Sequence, residues 1–366
     1  MSDYHKQRDL DIIRRTRLIR KDLPRFCDYF FVGIENRTSA LTRLNYAYDL
    51  RIFFDFLYKE ILPLTVTTIK AGDLDKITAP DIEMFLSYLS SYEYDGKRFQ
   101  CTASGKSRKL AVVRSFFKYY FDRDMISSNV SAKVSMPKKL EKEIIRLDTA
   151  EIGRLIDTVD TGNQLTKRQT VYHEKYRLRD IAVVTLFLGT GIRISECVGL
   201  NKNDIDFANN SFKVTRKGGN QTILYFSDEV ADSLRQYIDW LQNQIDEGTD
   251  FALKIKDHDA FFVSMQGTRL SVRAIQDLVK KYSQIITPLK NISPHKLRST
   301  FGTELYRRTR DIYVVADLLG HRDVNTTKKH YAAISEDIRK DAAQSVRLQP
   351  KNKKKAGDSP PLFDDE

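Results

Sequence analysis

The sequence predicts a mostly α-helical protein carrying one small antiparallel β-sheet in its second half. Three observations predict it. Apolar residues recur at three- and four-residue spacing through residues 25–135. The period shifts toward alternation only between Asp204 and Phe226. Helical spacing then returns from about Ser227. A length of 366 residues predicts about two domains. With 41% hydrophobic and 30% charged residues, the chain can bury real cores, which excludes a disordered polymer. Its longest nearly unbroken apolar run, Ala182 to Leu188, falls far short of the about 20 residues of a membrane span. Met1 to Lys6 lack an apolar signal region, so neither secretion nor a membrane partner is expected. Cys27, Cys101 and Cys197 are scattered and odd in number, which fits neither a disulfide framework nor a zinc site and points to the reducing cytoplasm. Lys and Arg number 61 against 49 Asp and Glu, a net charge of +12 that calls for an acidic partner. Nucleic acid is the commonest such polymer in a cell.

Residues 1–24 read as an N-terminal extension. Thr38 can cap a first helix with Leu41, Leu44, Leu50, Phe53, Phe54 and Leu57 along it. Thr78-Ala79-Pro80-Asp81 starts a second, with proline in its first turn and Phe85, Leu86 and Leu89 following as a core stripe. Ser104 or Ser107 opens a third, with Leu110, Val113, Phe116, Phe117 and Tyr120 on its apolar side. Lys106, Arg108, Lys109, Arg114 and Lys118 crowd its other faces, a pattern suited to a helix packed on its own domain and laid against DNA phosphates. Ser127 to Lys139 loses periodicity and ends in Met136-Pro137-Lys138-Lys139, which reads as an interdomain linker. Asp148 and Glu151 form a capping box that opens a new helix and a new domain. The polar stretch 160–178 reads as a loop, and Asp180 to Leu188 as a buried helix stopped by Gly189-Thr190-Gly191. A hairpin turning at Asn209-Asn210 and a second turn at Gly218-Gly219-Asn220 give the small sheet. One more strand-like run is Phe261 to Ser264, and the Lys-, Pro- and Asp-rich end from 349 reads as a disordered tail.

No Walker motif, no His-Glu-x-x-His and no two-metal acidic cluster is present, so no metal or cofactor is expected. The last quarter instead gathers His295, Arg298, His321 and Tyr331. Ser293-Pro294 opens a helix on which His295 and Arg298 share one edge while Leu297, Phe301 and Leu305 face the core. Asp311 to Leu319 forms the next helix, closed by Gly320, with His321 just beyond. Asn325 or Thr326 can cap a further short helix bearing Tyr331. Upstream, Arg193 enters a helix at a Gly-rich turn, and Glu196, three residues on, can orient it.

Thr-Gly-x-Arg-x-Ser-Glu at 190–196, His-x-x-Arg at 295–298, Leu-Gly-His at 319–321 and Tyr331 stand in the order used by tyrosine recombinases. Over roughly residues 25–345 the chain resembles that family of integrases and site-specific recombinases, and most of all its Xer branch. Lys217 in Arg216-Lys217-Gly218-Gly219-Asn220 matches the family's hairpin lysine. The interval from His321 to Tyr331 is one residue longer than is common in that branch; the His-Tyr-Ala-Ala-Ile context favours Tyr331 over Tyr306 and Tyr313 as nucleophile. The resemblance implies a two-domain, C-shaped clamp around duplex DNA. Its parts would be a helical core-binding domain at 25–135, a linker at 136–147, a catalytic domain at 148–348 and a tail at 349–366. It further implies a 3′-phosphotyrosyl intermediate on Tyr331, with Arg193, Arg298 and His321 as donors to the phosphate, His295 as base and Lys217 as acid. A homotetramer acting on two double-stranded sites is implied, as is a C-terminal segment, Ser335 to Leu348, passed to a neighbour. Chromosome dimer resolution with a septal DNA translocase is the role the Xer likeness suggests. A mobile-element integrase, a type IB topoisomerase-like enzyme and a non-catalytic DNA-binding regulator are the alternatives.

Overall fold

The computed structural model describes residues 3–62, 68–138, 145–216, 219–320 and 323–325. The chain divides into two compact units, residues 1–143 and 144–366, apart from 215–221, which group with the first.

The first unit is a helical bundle. Its helices are α1 (Asp3–Arg20), α2 (Cys27–Gly33), α3 (Ala40–Phe56), α4 (Ala79–Tyr88) and, after a hairpin of β1 (Tyr92–Tyr94) and β2 (Lys97–Phe99), α5 (Ala103–Phe121). Ser39 rather than Thr38 caps α3, its hydroxyl accepting the Thr42 N–H, while Thr38 bonds back to the Ile34 carbonyl. Thr78 caps α4 as expected, and Thr102, ahead of both expected serines, caps α5. The core is aromatic. Phe30, Phe53, Phe54, Phe116, Phe117 and Tyr120 are all fully buried. Their rings meet edge-on, as Phe116 and Tyr120 do at 4.9 Å between centroids, a geometry that aligns ring edges with π faces. The Tyr120 hydroxyl escapes burial unpaired by donating to the Phe26 carbonyl at 2.7 Å.

Two expectations change here. Residues 3–20 are not an appendage: Ile12, Thr16, Ile19 and Leu23 make a buried stripe at helical spacing, and α1 packs on α3. The arginines between them conceal that stripe in the sequence. The β1–β2 hairpin was not expected, although Asp95 and Gly96 both take positive φ (52° and 67°), the requirement of a tight two-residue turn.

The second unit begins with α6 (Thr149–Thr161) and α7 (Lys167–Thr190), followed by α8 (Ile194–Gly199) and strands β3 (Ile205–Asp206), β4 (Ser211–Thr215) and β5 (Gln221–Tyr225). Then come α9 (Asp228–Asp246), α10 (Val272–Ile286), α11 (Pro294–Thr309) and α12 (Ile312–Leu319). The Asp148–Glu151 capping box forms as expected, each backbone N–H reaching the other's carboxylate at 2.8 Å. The sheet runs in the order β3-β4-β5, with Ile205 opposite Phe212 and the turn at Asn209-Asn210. The 160–178 stretch is a correction. Only its start is loop, because Thr166 and Gln169 cap α7 reciprocally and the helix continues through the polar residues. Phe261 to Ser264 makes a single isolated bridge, Val263 to Arg269, instead of a strand. Helix α7 is the axis of the unit, packing on α6, α9 and α11 and burying Ala182, Val183, Leu186 and Phe187.

Half of the expected 136–147 linker, residues 139–144, lies outside the described residues, but its end is firmly seated. Leu147 is buried, and its N–H donates to the Thr300 hydroxyl of α11 at 3.1 Å. The expected C-terminal helix and tail also lie outside the described residues.

Candidate active site

The site is built from three chain breaks that converge in the second unit. The first is the end of α7, where Gly191 adopts φ 60° and turns the chain sharply. A Cβ there would stand 2.4 Å from Phe301, so the position demands glycine for space as well as conformation. The turn delivers Arg193 to the N-cap of α8, where Glu196 holds it twice. The Arg193 N–H reaches Glu196 Oε2 at 2.9 Å and its Nη1 reaches Oε1 at 2.8 Å. Glu196 is buried, and Arg193 keeps about a third of its side chain exposed (35%). The contact that the spacing allows is made at two points.

The second break is the end of α12, which Gly320 closes in the left-handed conformation at φ 58°. A helix terminus leaves its last carbonyls without intrahelical partners and carries partial negative charge. Here those carbonyls receive cations. Arg193 Nη2 donates to Leu319 O at 3.1 Å and to Gly320 O at 2.7 Å.

The third is the first turn of α11. Ser293 occupies the expected N-cap, with Pro294 at the first helical position, although the serine hydroxyl makes no capping bond. Arg298, buried to 5% exposure, donates through Nη1 to Gly191 O and through Nη2 to Leu319 O. One backbone oxygen, that of Leu319, therefore receives both guanidiniums. Two arginines 105 positions apart in sequence become neighbours, with planar donor sets able to grip an anion's oxygens in parallel. His295 is exposed, one turn ahead of Arg298 on the same helix. Asp323 Oδ1 accepts the Asn325 N–H at 2.9 Å, so the turn beyond Gly320 starts from Asp323, two residues before the expected cap. Lys217, His321 and Tyr331 lie outside the described residues.

Residue-type reasoning finds both arginines and Glu196 but not the carbonyls of Gly191, Leu319 and Gly320 that gather them. The available signal was the pair of glycines at 191 and 320, each ending a helix. It also missed Arg269, buried behind α8, whose guanidinium takes the Val198 and Leu200 carbonyls at 3.1 and 2.7 Å and Asp257 at 2.9 Å. Arg269 thereby fixes the far end of the helix that carries Arg193.

The basic flank of α5 divides into different environments. Arg108 is half-exposed. Lys106 reaches the Ser90 hydroxyl at 2.6 Å. Lys109 is a correction: it is buried, with its ammonium 2.6 Å from the buried Asp49 carboxylate, because it continues the inward stripe of Val113, Phe116 and Tyr120. Arg114 is another, since its guanidinium serves the Ser131 and Val134 carbonyls and holds the segment after α5 in place.

Among the described residues, no group of three or more His, Cys, Asp or Glu could hold a metal ion. No helix there is long and apolar enough to cross a membrane.

A helical unit with a small sheet, organised around an arginine pair at converging helix ends, defines the class: a catalytic domain of the integrase type. Residues 146–337 match the phage integrase family. The chain belongs to that family, the tyrosine recombinases, which are enzymes of site-specific DNA recombination. It is 31% identical to tyrosine recombinase XerC of Caldanaerobacter subterraneus subsp. tengcongensis, over 84% of this chain and 81% of the relative. It is 32% identical to tyrosine recombinase XerC of Natranaerobius thermophilus, over 81% and 90%. The crystal structure of XerH site-specific recombinase bound to palindromic difH substrate, a post-cleavage complex, shares the fold. Its TM-score is 0.63 at 17% identity, covering 91% of this chain and 94% of that one.

Proposed function

We propose that this recombinase cuts and rejoins duplex DNA through Tyr331, in an Xer-type role that resolves chromosome dimers in the cytoplasm. The observation that supports it is the meeting of Arg193 and Arg298 on the Leu319 carbonyl, one residue before Gly320-His321. A phosphodiester under attack gains negative charge on its non-bridging oxygens. Two guanidiniums held in fixed planes stabilise that charge in place, with His321 as a further donor. The Tyr331 hydroxyl, ordinarily with a pKa near 10, attacks phosphorus, and His295 takes its proton. The bond to the 5′ oxygen breaks, and Lys217 protonates that leaving oxygen. The products are a 3′-phosphotyrosyl ester and a 5′ hydroxyl. The ester conserves the phosphodiester, so a 5′ hydroxyl from a second duplex reverses the step and exchanges strands without ATP. A homotetramer on two sites completes the exchange, and a septal DNA translocase is its regulator. Similarity to relatives named XerC and XerD supports this role over the mobile-element alternative.

The test is covalent trapping. The full chain, incubated with genomic DNA and quenched in detergent, should carry covalently one chromosomal locus near the replication terminus; Tyr331→Phe should bind DNA and trap nothing. Trapping at the ends of a mobile element would overturn the housekeeping role. Trapping by Tyr331→Phe would overturn the nucleophile.

A further inference from the structure

Lys106, Arg108, Lys109 and Arg114 share one helix but not one environment, and Arg108 stands apart. Behind it lies Asp49 of α3, its side chain 1% exposed. A buried carboxylate requires an opposite charge and hydrogen bonds. Lys109, itself 5% exposed, supplies both through Nζ, 2.6 Å from Asp49 Oδ1. That pair is already neutral. Arg108 nevertheless adds a second cation, Nη1 on Asp49 Oδ2, while its side chain stays 53% exposed. The cluster thus holds one surplus positive charge and presents it at the surface.

The surplus is also fixed in direction. An exposed lysine is a point charge on a flexible stem, whereas an arginine tethered from behind by a buried acid is a planar fork whose ordering has been met in advance. One turn to either side on the same face of α5 stand Ser104 and Ala111, both exposed and both small. With Ser107, Met136 and Pro137 they border the concavity beside Arg108, so nothing bulky on α5 screens the guanidinium.

A phosphate accepts any nearby cation. A guanine edge, with O6 and N7 side by side, requires two parallel donors in a set plane. We infer that Arg108, oriented by Asp49, is a specificity-determining residue that reads one guanine in the DNA site, while Lys109 serves only to neutralise Asp49. This rests on the site-specific DNA reading above. An α-helix about 10–12 Å across fits a major groove about 12 Å wide, the groove where guanine displays that edge.

The experiment selects binding sequences for the full chain from a randomised duplex pool, comparing wild type, Arg108→Ala and Arg108→Lys. Arg108→Ala leaves the neutral Asp49–Lys109 pair, so its thermal midpoint should fall by no more than a few degrees. The wild-type site should contain a guanine position that both variants lose, discrimination there falling about tenfold, with the other positions intact. Arg108→Lys should keep the wild-type salt dependence of binding. An unchanged sequence in both variants overturns the inference and leaves the recombinase reading standing. So does uniform weakening at every position with a shallower salt dependence, which marks a phosphate contact. A wild-type chain that selects no sequence overturns both.

Discussion

Arg298 makes its two described bonds with different nitrogens to carbonyls of different segments, Gly191 O and Leu319 O. A lysine would put one point charge on a different stem in place of this planar, two-nitrogen fork. Arg298→Lys should therefore keep the charge, keep DNA binding and lose cleavage by about 100-fold or more, read as the rate of covalent-complex formation on a nicked suicide substrate. Asp49 offers a contrasting residue-scale test, in stability. Asp49→Asn strands the Lys109 ammonium in the core and should cost about 3–5 kcal/mol in denaturant unfolding. Arg108→Ala, which removes only the half-exposed partner, should cost less than about 1 kcal/mol. The sequence alone disclosed the arginines and Glu196 because side-chain type and spacing carry their chemistry. It could not disclose the receiving carbonyls, since every residue owns one and only the fold decides which are left over at a helix end. The sequence conceals the burial of Lys109 for the opposite reason. Its charge outweighed its register, although it lies four residues before Val113 and seven before Phe116 on the buried face.

At the scale of elements, legibility followed the caps. Asp148 with Glu151, Thr78 with Asp81 and the glycine stops at 191 and 320 all stand where the sequence puts them. The start of α7 was missed because its polar first half hid the Thr166–Gln169 signal. That helix also carries Asp180, the acid that ties α7 to α10. Asp180 accepts from Arg179 at 2.8 Å, from Lys281 at 3.1 Å and from the Tyr282 hydroxyl at 2.9 Å. Burial pushes its carboxyl up, but Arg179, Lys281 and these hydrogen bonds outweigh burial and hold it below its ordinary 3.8. A carboxyl with a lower pKa folded than unfolded stabilises fully above the unfolded value. It loses that contribution as pH falls through the folded one. The wild-type thermal midpoint should therefore drop steeply below about pH 4. Asp180→Asn, less stable throughout because Arg179 and Lys281 lose their counter-charge, should show a shallower drop over the same window. Equal slopes would remove Asp180 from the acid response.

For the molecule as a whole, charge and catalysis draw on the same residue types in different settings. The net +12 is distributed over both units, a charge suited to drawing the chain toward a polyanion such as DNA. Binding should weaken linearly in log–log terms as salt rises, by a slope of about 0.9 per phosphate contacted. Chemistry should not follow that trend. Arg298 is buried and Arg193 is only a third exposed, and both are pinned by carbonyls or Glu196, so bulk ions screen them little. Once the DNA is saturating, the rate of covalent-complex formation should change little between low and moderate salt while affinity falls. In the proposed mechanism the same pair supplies the positive charge the reacting phosphate needs, so cleavage should proceed in EDTA at the rate seen with magnesium. A rate that collapses in EDTA and returns with added magnesium would mean that the arginine pair positions the phosphate without carrying its charge, and the assignment of Arg193 and Arg298 would have to be rewritten.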